Sequence, residues 1–492
     1  MLAEASNKVP EIRVRNENDA PLRREGDFVL YWMIAFRRPE WNYSLQRAID
    51  WAHELNKPLL VFEALRSDYP WASDRLHRFV IDGMADNARR FKGTSAFYYS
   101  FIESKKGAGK GLLEALAAKA ALVVTDDYPA FFLPAMVAAA ARRLSVQVEA
   151  VDSNGLLPLR AAERVFETAY SFRRFLQKNL REHLAQFPKR HPLLGNKLSK
   201  LAGLPSEITR RWPNATVALL NDELAVADLP IDHTVPEAEI RGGSVAANDA
   251  LQRFLEGRLP RYAEDRNHPD EEVTSGLSPY LHFGHISSHQ MFVELMERED
   301  WDVDQLAPEA KGKRSGWWGA SESAEALLDQ FITWREVGFN MSSLRQDYDR
   351  FASLPDWAKT TLAQHEKDDR PYLYELAELE NAETHDPIWN AAQTQLLREG
   401  QLHNYLRMLW GKKILEWSPS PQDALEVMVE LNNKYALDGR DPNSYSGIFW
   451  CLGRYDRPWG PERPIFGKIR YMSSENTKRK LRLSEYMEKY GR

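Results

Sequence analysis

Cysteine is nearly absent. Cys451 stands alone in 492 residues, which excludes an internal disulfide and a cysteine-built metal site. That usage suits a reducing compartment, and we expect a cytoplasmic monomer that binds no metal. Long apolar runs are missing as well. No stretch approaches the ~20 apolar residues of a membrane-spanning helix. The polar stretch from Met1 to Asp27 has no apolar segment of the signal-peptide kind. A basic excess is also absent, since 65 Lys and Arg stand against 71 Asp and Glu for a net charge of −6. Contact with nucleic acid must therefore come from a local basic patch. Nucleotide fingerprints are missing too. No G-x-G-x-x-G occurs in the early strand-and-helix region, and the loop Lys105 to Gly111 (KKGAGKG) lacks the phosphate-loop spacing. It reads as a flexible basic turn, and the region as neither an NAD nor an ATP site.

The length predicts two domains with large cores. From Asp27 to Asp152 strand and helix patterns alternate. Candidate strands are Phe28 to Trp32, Leu59 to Phe62, Phe97 to Phe101, Leu122 to Thr125 and Gln147 to Val151. Helical runs include Tyr43 to Leu55 and Leu113 to Ala121. Alternation of this kind predicts a parallel sheet with helices on both faces, over residues 27–152. Residues 153–245 are punctuated by Pro and Gly and read as an interdomain linker with some helix near Tyr170 to Leu184. From Ala246 to the end strand patterns almost vanish, and 246–492 reads as a large all-helical domain. Its helical runs include Ala247 to Leu255, Ser288 to Glu297, Ala324 to Trp334 and Pro421 to Tyr435. The basic run Lys478 to Arg482 near the end reads alone as a solvated tail.

Fifteen tryptophans are many for such a chain. Several fall in the stretch Thr384 to Trp417. Trp389, Gln393, Leu396 and Leu397 recur at helical spacing until Gly400 breaks the run. Leu406, Leu409, Trp410, Ile414 and Trp417 then form a second stripe. Any one of these tryptophans is more simply a core residue. The company argues for more: Asn404, Tyr405, Arg407 and Met408 crowd one turn, and an Arg beside a core Trp needs an anion.

The same stretch closely resembles the photolyase/cryptochrome flavoproteins, and specifically the class II cyclobutane pyrimidine dimer photolyases. Similar runs are Glu430 to Trp459, Phe466 to Met472, Ser275 to Gly284, Ile332 to Glu336 and Tyr31 to Leu45. The resemblance implies a Rossmann-like α/β antenna domain and an all-α FAD-binding catalytic domain. It implies light-driven repair of pyrimidine dimers in double-stranded DNA, by electron transfer from excited reduced FAD to a flipped-out dimer. It also implies an antenna chromophore, a deazaflavin or a folate, between which the sequence does not choose.

Site residues follow from the resemblance by position. Tyr262 and the run Thr274, Ser275, Gly276, Leu277 and Ser278 would hold the FAD pyrophosphate. Ser278-Pro279 also reads simply as a helix start, with Ser278 as cap. Tyr405, Arg407, Met408, Asp438 and Arg440 would surround the flavin, with Arg407 and Asp438 paired, although Asp438 to Asp441 alone reads as a charged surface turn. Asn432 would face the flavin N5. Trp410, Trp389, Trp417 and Tyr374 would carry electrons to the flavin. Trp334 and Trp450 would bracket the dimer, and Trp334 alone reads as a core residue. Arg457, Lys468 and Arg470 would meet DNA phosphates. One position departs: where the class II pattern has a Glu four residues before the pocket Trp, this chain has Gln330. An amide always donates a hydrogen bond, whereas a carboxyl donates only when protonated. The expectation is retained repair. The alternative is a cryptochrome-like blue-light photosensor without repair.

Overall fold

The computed structural model describes Lys8 to Gly491; the first seven residues of the polar amino-terminal stretch lie outside the described residues. The chain forms two compact units interleaved in sequence. The first holds the described residues up to Ala162, then Asn179–Gln252 and Leu277–Asp304; the second holds Glu163–Lys178, Arg253–Gly276 and the chain from Gln305 onward.

The first unit is built on a six-stranded sheet. Its strands are β1 (Val14–Asn16), β2 (Phe28–Met33), β3 (Leu59–Leu65), β4 (Phe97–Ile102), β5 (Ala120–Asp126) and β6 (Val148–Val151). The spatial order is β1-β6-β5-β2-β3-β4. All neighbours are parallel except β1, which lies antiparallel to β6. The five predicted strands are present within two residues at each end, apart from the end of β3. The short edge strand β1 was not predicted, because three residues are too few for a period-two signal. Helices α1 (Tyr43–Leu55), α2 (Asp74–Phe91), α3 (Leu112–Ala117) and α4 (Leu133–Ala141) connect the strands. The predicted helix Leu113 to Ala121 is cut short because β5 begins at Ala120. Asn42 caps α1 by accepting from the Leu45 amide at 3.1 Å. β2 and β5 are buried along their whole length, as parallel strands covered on both faces must be.

In this strand order the direction of winding reverses between β2 and β5, where sheets of this Rossmann-like kind bind nucleotides. Here the position is filled from within. The Asp126 carboxylate, at the carboxyl end of β5, accepts backbone N–H bonds from Ile34, Ala35 and Phe36 at 2.9, 2.7 and 2.9 Å. Its other oxygen accepts from Tyr31 Oη at 2.8 Å. Three converging amides form an anion cradle, and its anion is a side chain of the protein. The basic loop Lys105 to Gly111 is organised in the same way, with the Gly109 amide donating to Glu103 Oε1 at 3.0 Å. In both places the backbone donors are taken by carboxylates of the protein itself.

The second unit is helical. Between Pro387–Glu399 and Asn404–Trp417 the chain turns at Gly400, whose φ of 67° closes the first helix in the left-handed region. The predicted apolar stripe Leu406, Leu409, Trp410, Ile414 and Trp417 is buried. The Asn404–Trp417 helix packs against Pro387–Glu399, Pro421–Tyr435 and Pro442–Cys451; Arg335–Leu344 also packs on Pro442–Cys451. Two of these crossings need glycine. A Cβ on Gly338 would lie 2.8 Å from the Pro442 carbonyl oxygen, and one on Gly411 would lie 2.5 Å from Cys451 Sγ.

Asp126→Ala should destabilise the protein by roughly 3 kcal/mol or more, because three buried N–H groups lose their acceptor. Urea unfolding of the full chain measures this; a loss below about 1 kcal/mol would mean that water replaces the carboxylate.

Candidate active site

Apart from Leu277 and Ser278, the residues singled out from the sequence lie in the helical unit. Arg407 meets the anion that its position demanded: Nη2 donates to Asp438 Oδ1 and Oδ2 at 2.9 and 3.2 Å. Both side chains keep some exposure, 17% and 14%, so the pair borders an accessible space. Tyr405 and Met408, on the same helix, are half-buried. Asn432 is buried, and its amide nitrogen donates to Ser444 Oγ at 2.8 Å and Asn433 Oδ1 at 3.3 Å. Those two bonds fix which end of the amide is free to face a ligand. The Asn433 oxygen also accepts the Arg440 amide at 2.9 Å, and Arg440 adopts φ 66°.

The run before Ser278 is divided. Tyr262, Thr274, Ser275 and Gly276 belong to the helical unit, while Leu277 and Ser278 belong to the sheet unit. Ser278 is not a helix cap. The helix Ser278–His282 begins at that residue, with Leu277 in the capping position and no side-chain bond there. Tyr262 is buried edge-on against Phe254 at 5.5 Å. A Cβ on Gly276 would meet nothing within 4 Å, so that turn faces open space. The half-buried Tyr405 and Met408, the Arg407 charge and the fixed Asn432 amide fit a flat aromatic cofactor that turns anionic on reduction, such as a flavin.

Gln330 and Trp334 lie on a π-helical turn, Asp329–Trp334, set between the α-helices Glu322–Leu328 and Arg335–Leu344. The apolar period had predicted unbroken helix from Ala324 to Trp334. The widened turn is pinned by Asp329, which takes Nε and Nη2 of Arg173 at 2.7 and 3.1 Å. Such turns cost backbone geometry and recur at functional sites. Its effect is visible in burial: Gln330 and Trp334 are half-exposed while Phe331, Ile332 and Thr333 are buried. Trp334 is therefore not a core filler.

Trp450 sits near the end of Pro442–Cys451, on a face that includes Gly447, where a Cβ would meet nothing within 4 Å. Cations approach its ring. Arg470 lies 5.6 Å from the Trp450 centroid and 5.0 Å from that of Trp459. Arg457 lies 5.1 Å from Trp459. Arg457, Lys468 and Arg470 are exposed, and Lys468 pairs with Glu462 at 3.2 Å. Arg457, Arg470 and the exposed Trp459 form a basic, stacking-capable strip beside the buried Trp450, on a chain of net negative charge.

Lys412 escaped the sequence reading. It is fully buried, its Nζ donates to the Cys451 carbonyl at 2.7 Å, and it stands 4.8 Å from the Trp450 centroid. The carbonyl is one that the end of a helix leaves without an intrahelical partner. Burial pushes the Lys412 amine down to about 8, with nearby Arg470 acting the same way and Cys451 and Asp456 opposing. Burial likewise pushes the Cys451 thiol up to about 11.

Trp410, Trp389, Trp417 and Tyr374 form one contiguous ring series. Trp389 and Trp410 are nearly parallel, with centroids 6.4 Å apart; Trp389 meets Trp417 at 5.6 Å and Trp417 meets Tyr374 at 5.4 Å. The indole N–H groups are satisfied, Trp389 by the Trp410 carbonyl at 3.0 Å and Trp410 by Gln393 Oε1 at 2.9 Å.

With this geometry in view, comparison with known proteins defines the class. No family model matches the chain. The fold is that of photolyases: the crystal structure of a bacterial class III photolyase from Agrobacterium tumefaciens superposes with a TM-score of 0.64 at 15% identity, covering 94% of this chain and 86% of that one. Sequence narrows it. The deoxyribodipyrimidine photo-lyase of Methanothermobacter thermautotrophicus is 36% identical over 97% of both chains. That of Potorous tridactylus is 32% identical over 96% of this chain and 82% of its own, and that of Arabidopsis thaliana 31% over 95% and 89%. The chain belongs to the deoxyribodipyrimidine photo-lyase family. No helix among the described residues is long and apolar enough to cross a membrane.

The depressed Lys412 value has a thermodynamic consequence. The unfolded chain holds this proton up to the ordinary 10.5 and the folded chain only to about 8. Between those values the unfolded state binds more protons, so the Lys412 contribution to stability rises with pH. From pH 8 to 10 the wild type should gain about 2 kcal/mol relative to Lys412→Met. Paired denaturant titrations check this, and a pH-independent difference would contradict it.

Proposed function

We propose that this protein is a light-driven lyase of cyclobutane pyrimidine dimers in DNA, of the class II kind, working with FAD. The observation that carries the reading is the pairing of two features in the helical unit. A buried ring series starts at Trp410, and half-exposed aromatic and amide groups stand at Trp334 and Gln330. Bound and reduced, the flavin would supply one electron to the dimer on excitation and take it back after the ring opens. Tyr262, Thr274, Ser275 and Gly276 would hold its phosphates, and Tyr405 and Met408 its rings. Arg407, balanced by Asp438, stabilises negative charge at the ring edge, and Asn432 presents its amide to N5. Arg440 closes the turn beside Asn432.

The remaining residues handle DNA. A dimer within a duplex reaches a buried site only by leaving the stack, as base-flipping enzymes require, photolyases among them. Trp334 and Trp450 replace lost base stacking, by on the order of 1–3 kcal/mol per base. Gln330 donates to the dimer's carbonyls without needing a proton. Arg457, Lys468 and Arg470 meet phosphates around the lesion. For the sheet unit we keep the expected deazaflavin or folate antenna, since neither ring system needs the cradle that Asp126 fills; an added near-ultraviolet absorption band would support it.

The test is loss of a thymine dimer from an oligonucleotide under blue light, with the flavin fully reduced, across a pH series. The wild type should split the dimer without titrating at position 330. Gln330→Glu should work best in acid and fade as pH rises, because only the protonated acid donates and a dry pocket raises its value above ~4.3. Gln330→Leu should be slow at every pH. If the wild type splits no dimer, the blue-light photosensor reading takes the place of repair.

A further inference from the structure

The outer end of the ring series is not a bare tyrosine. Tyr374 Oη lies 2.6 Å from His385 Nδ1, and the same oxygen accepts the His385 backbone N–H at 2.9 Å. One lone pair is taken by that amide, and when Nδ1 is unprotonated the phenolic O–H donates to it. The imidazole is clamped in place: Tyr372 stacks on it at 3.7 Å with 19° between planes, and Trp417 meets it edge-on at 5.2 Å. The Tyr374 amide donates to the Trp417 carbonyl at 3.3 Å, which ties phenol to indole. Burial falls along the series. Trp410, Trp389 and Trp417 are buried, Tyr374 is half-buried, and His385 and Tyr372 are exposed.

A phenol differs from an indole as an electron donor. An indole can hold a positive vacancy for a time, whereas an oxidised phenol is a strong acid and must shed its proton as the electron leaves. Tyr374 is therefore useful as a donor only if a base waits at hydrogen-bond distance. We propose that His385 is that base, and that the Tyr374–His385 pair is the terminal proton-coupled electron donor of the series. This rests on the reading that Trp410 is the ring next to the flavin.

The step balances as follows. One electron is drawn from Trp410 by photoexcited oxidised flavin, and the vacancy moves through Trp389 to Trp417. Tyr374 gives one electron to the Trp417 cation, which becomes neutral indole again. Its O–H bond breaks, and the proton passes to His385 Nδ1. The products are a neutral tyrosyl radical and an imidazolium whose surplus proton is open to solvent. An added thiol reductant restores Tyr374 by returning one electron and one proton. A neutral radical beside a proton already gone cannot readily refill the vacancy, so the pair blocks charge recombination.

The experiment is flash photolysis of the full chain with its oxidised flavin, in light and heavy water, read at the tryptophan-cation and tyrosyl-radical bands. Freeze-trapped paramagnetic resonance identifies the radical. In the wild type, tyrosyl radical should rise as tryptophan cation decays, with a solvent isotope effect. His385→Gln keeps a hydrogen-bond partner for Oη but takes no proton; it should slow this rise on the order of a hundredfold, the usual worth of a positioned base. Tyr374→Phe should leave the cation and remove the tyrosyl signal. Nitrogen NMR of the flavin-free chain gives an independent reading: His385 Nδ1 should be unprotonated and accepting at neutral pH, and a protonated Nδ1 would overturn the assignment. An unchanged tyrosyl rise in His385→Gln would overturn it too, with the tryptophan route left standing. Absence of any tryptophan cation in the wild type would instead remove the route itself and the inference with it.

Discussion

The helical unit depends on a close crossing at Gly411. Any side chain there would drive into Cys451 Sγ at 2.5 Å and Met428 Sδ at 3.0 Å. Because it is glycine, the Asn404–Trp417 helix lies against both Pro421–Tyr435 and Pro442–Cys451. Interiors at this density do not absorb even one added methyl without strain. The crossing fixes where Arg407 meets Asp438 and where Lys412 meets the Cys451 carbonyl, and so where Trp450 stands.

One helix thereby serves two neighbours. Toward Pro387–Glu399 it presents Trp410, held by Gln393, and beyond it Trp417. Toward Pro442–Cys451 it presents Gly411 and Lys412, under a tryptophan that two cations approach. A buried amine is costly. Here it ends a helix and stands beside an aromatic ring, two uses that an apolar residue of equal size cannot supply.

Much of this was legible in the residues. Short apolar runs alternating with helical ones gave the five parallel strands, and the stripe from Leu406 to Trp417 gave its helix with Gly400 before it. An Arg beside a core Trp implied only some anion; that the anion is Asp438 came from the family resemblance. In the stretch read as a linker, 153–245, the expected helix near Tyr170 is present at Ala169–Asn179, further short helices accompany it, and Leu219, Val226 and Leu229 reach the sheet's core. What stayed hidden depends on contacts distant in sequence. Asp126 filling a cradle made by Ile34 to Phe36 leaves no local pattern. The π-turn at Asp329–Trp334 differs from α-helix by its hydrogen-bond reach, which apolar spacing does not register. His385 reads as one more polar residue in THDPIW until the fold brings Tyr374 to it.

The division of labour across the Asn404–Trp417 helix is most directly tested with Trp410→Phe, which keeps an aromatic ring in the core. Two rates should be measured on the same purified variant: reduction of its flavin by blue light with a thiol, and dimer splitting after the flavin has been reduced chemically. Photoreduction should fall steeply while splitting by the chemically reduced enzyme stays near the wild-type rate. Photoreduction at the wild-type rate would contradict the assignment of Trp410 as the ring that feeds the flavin.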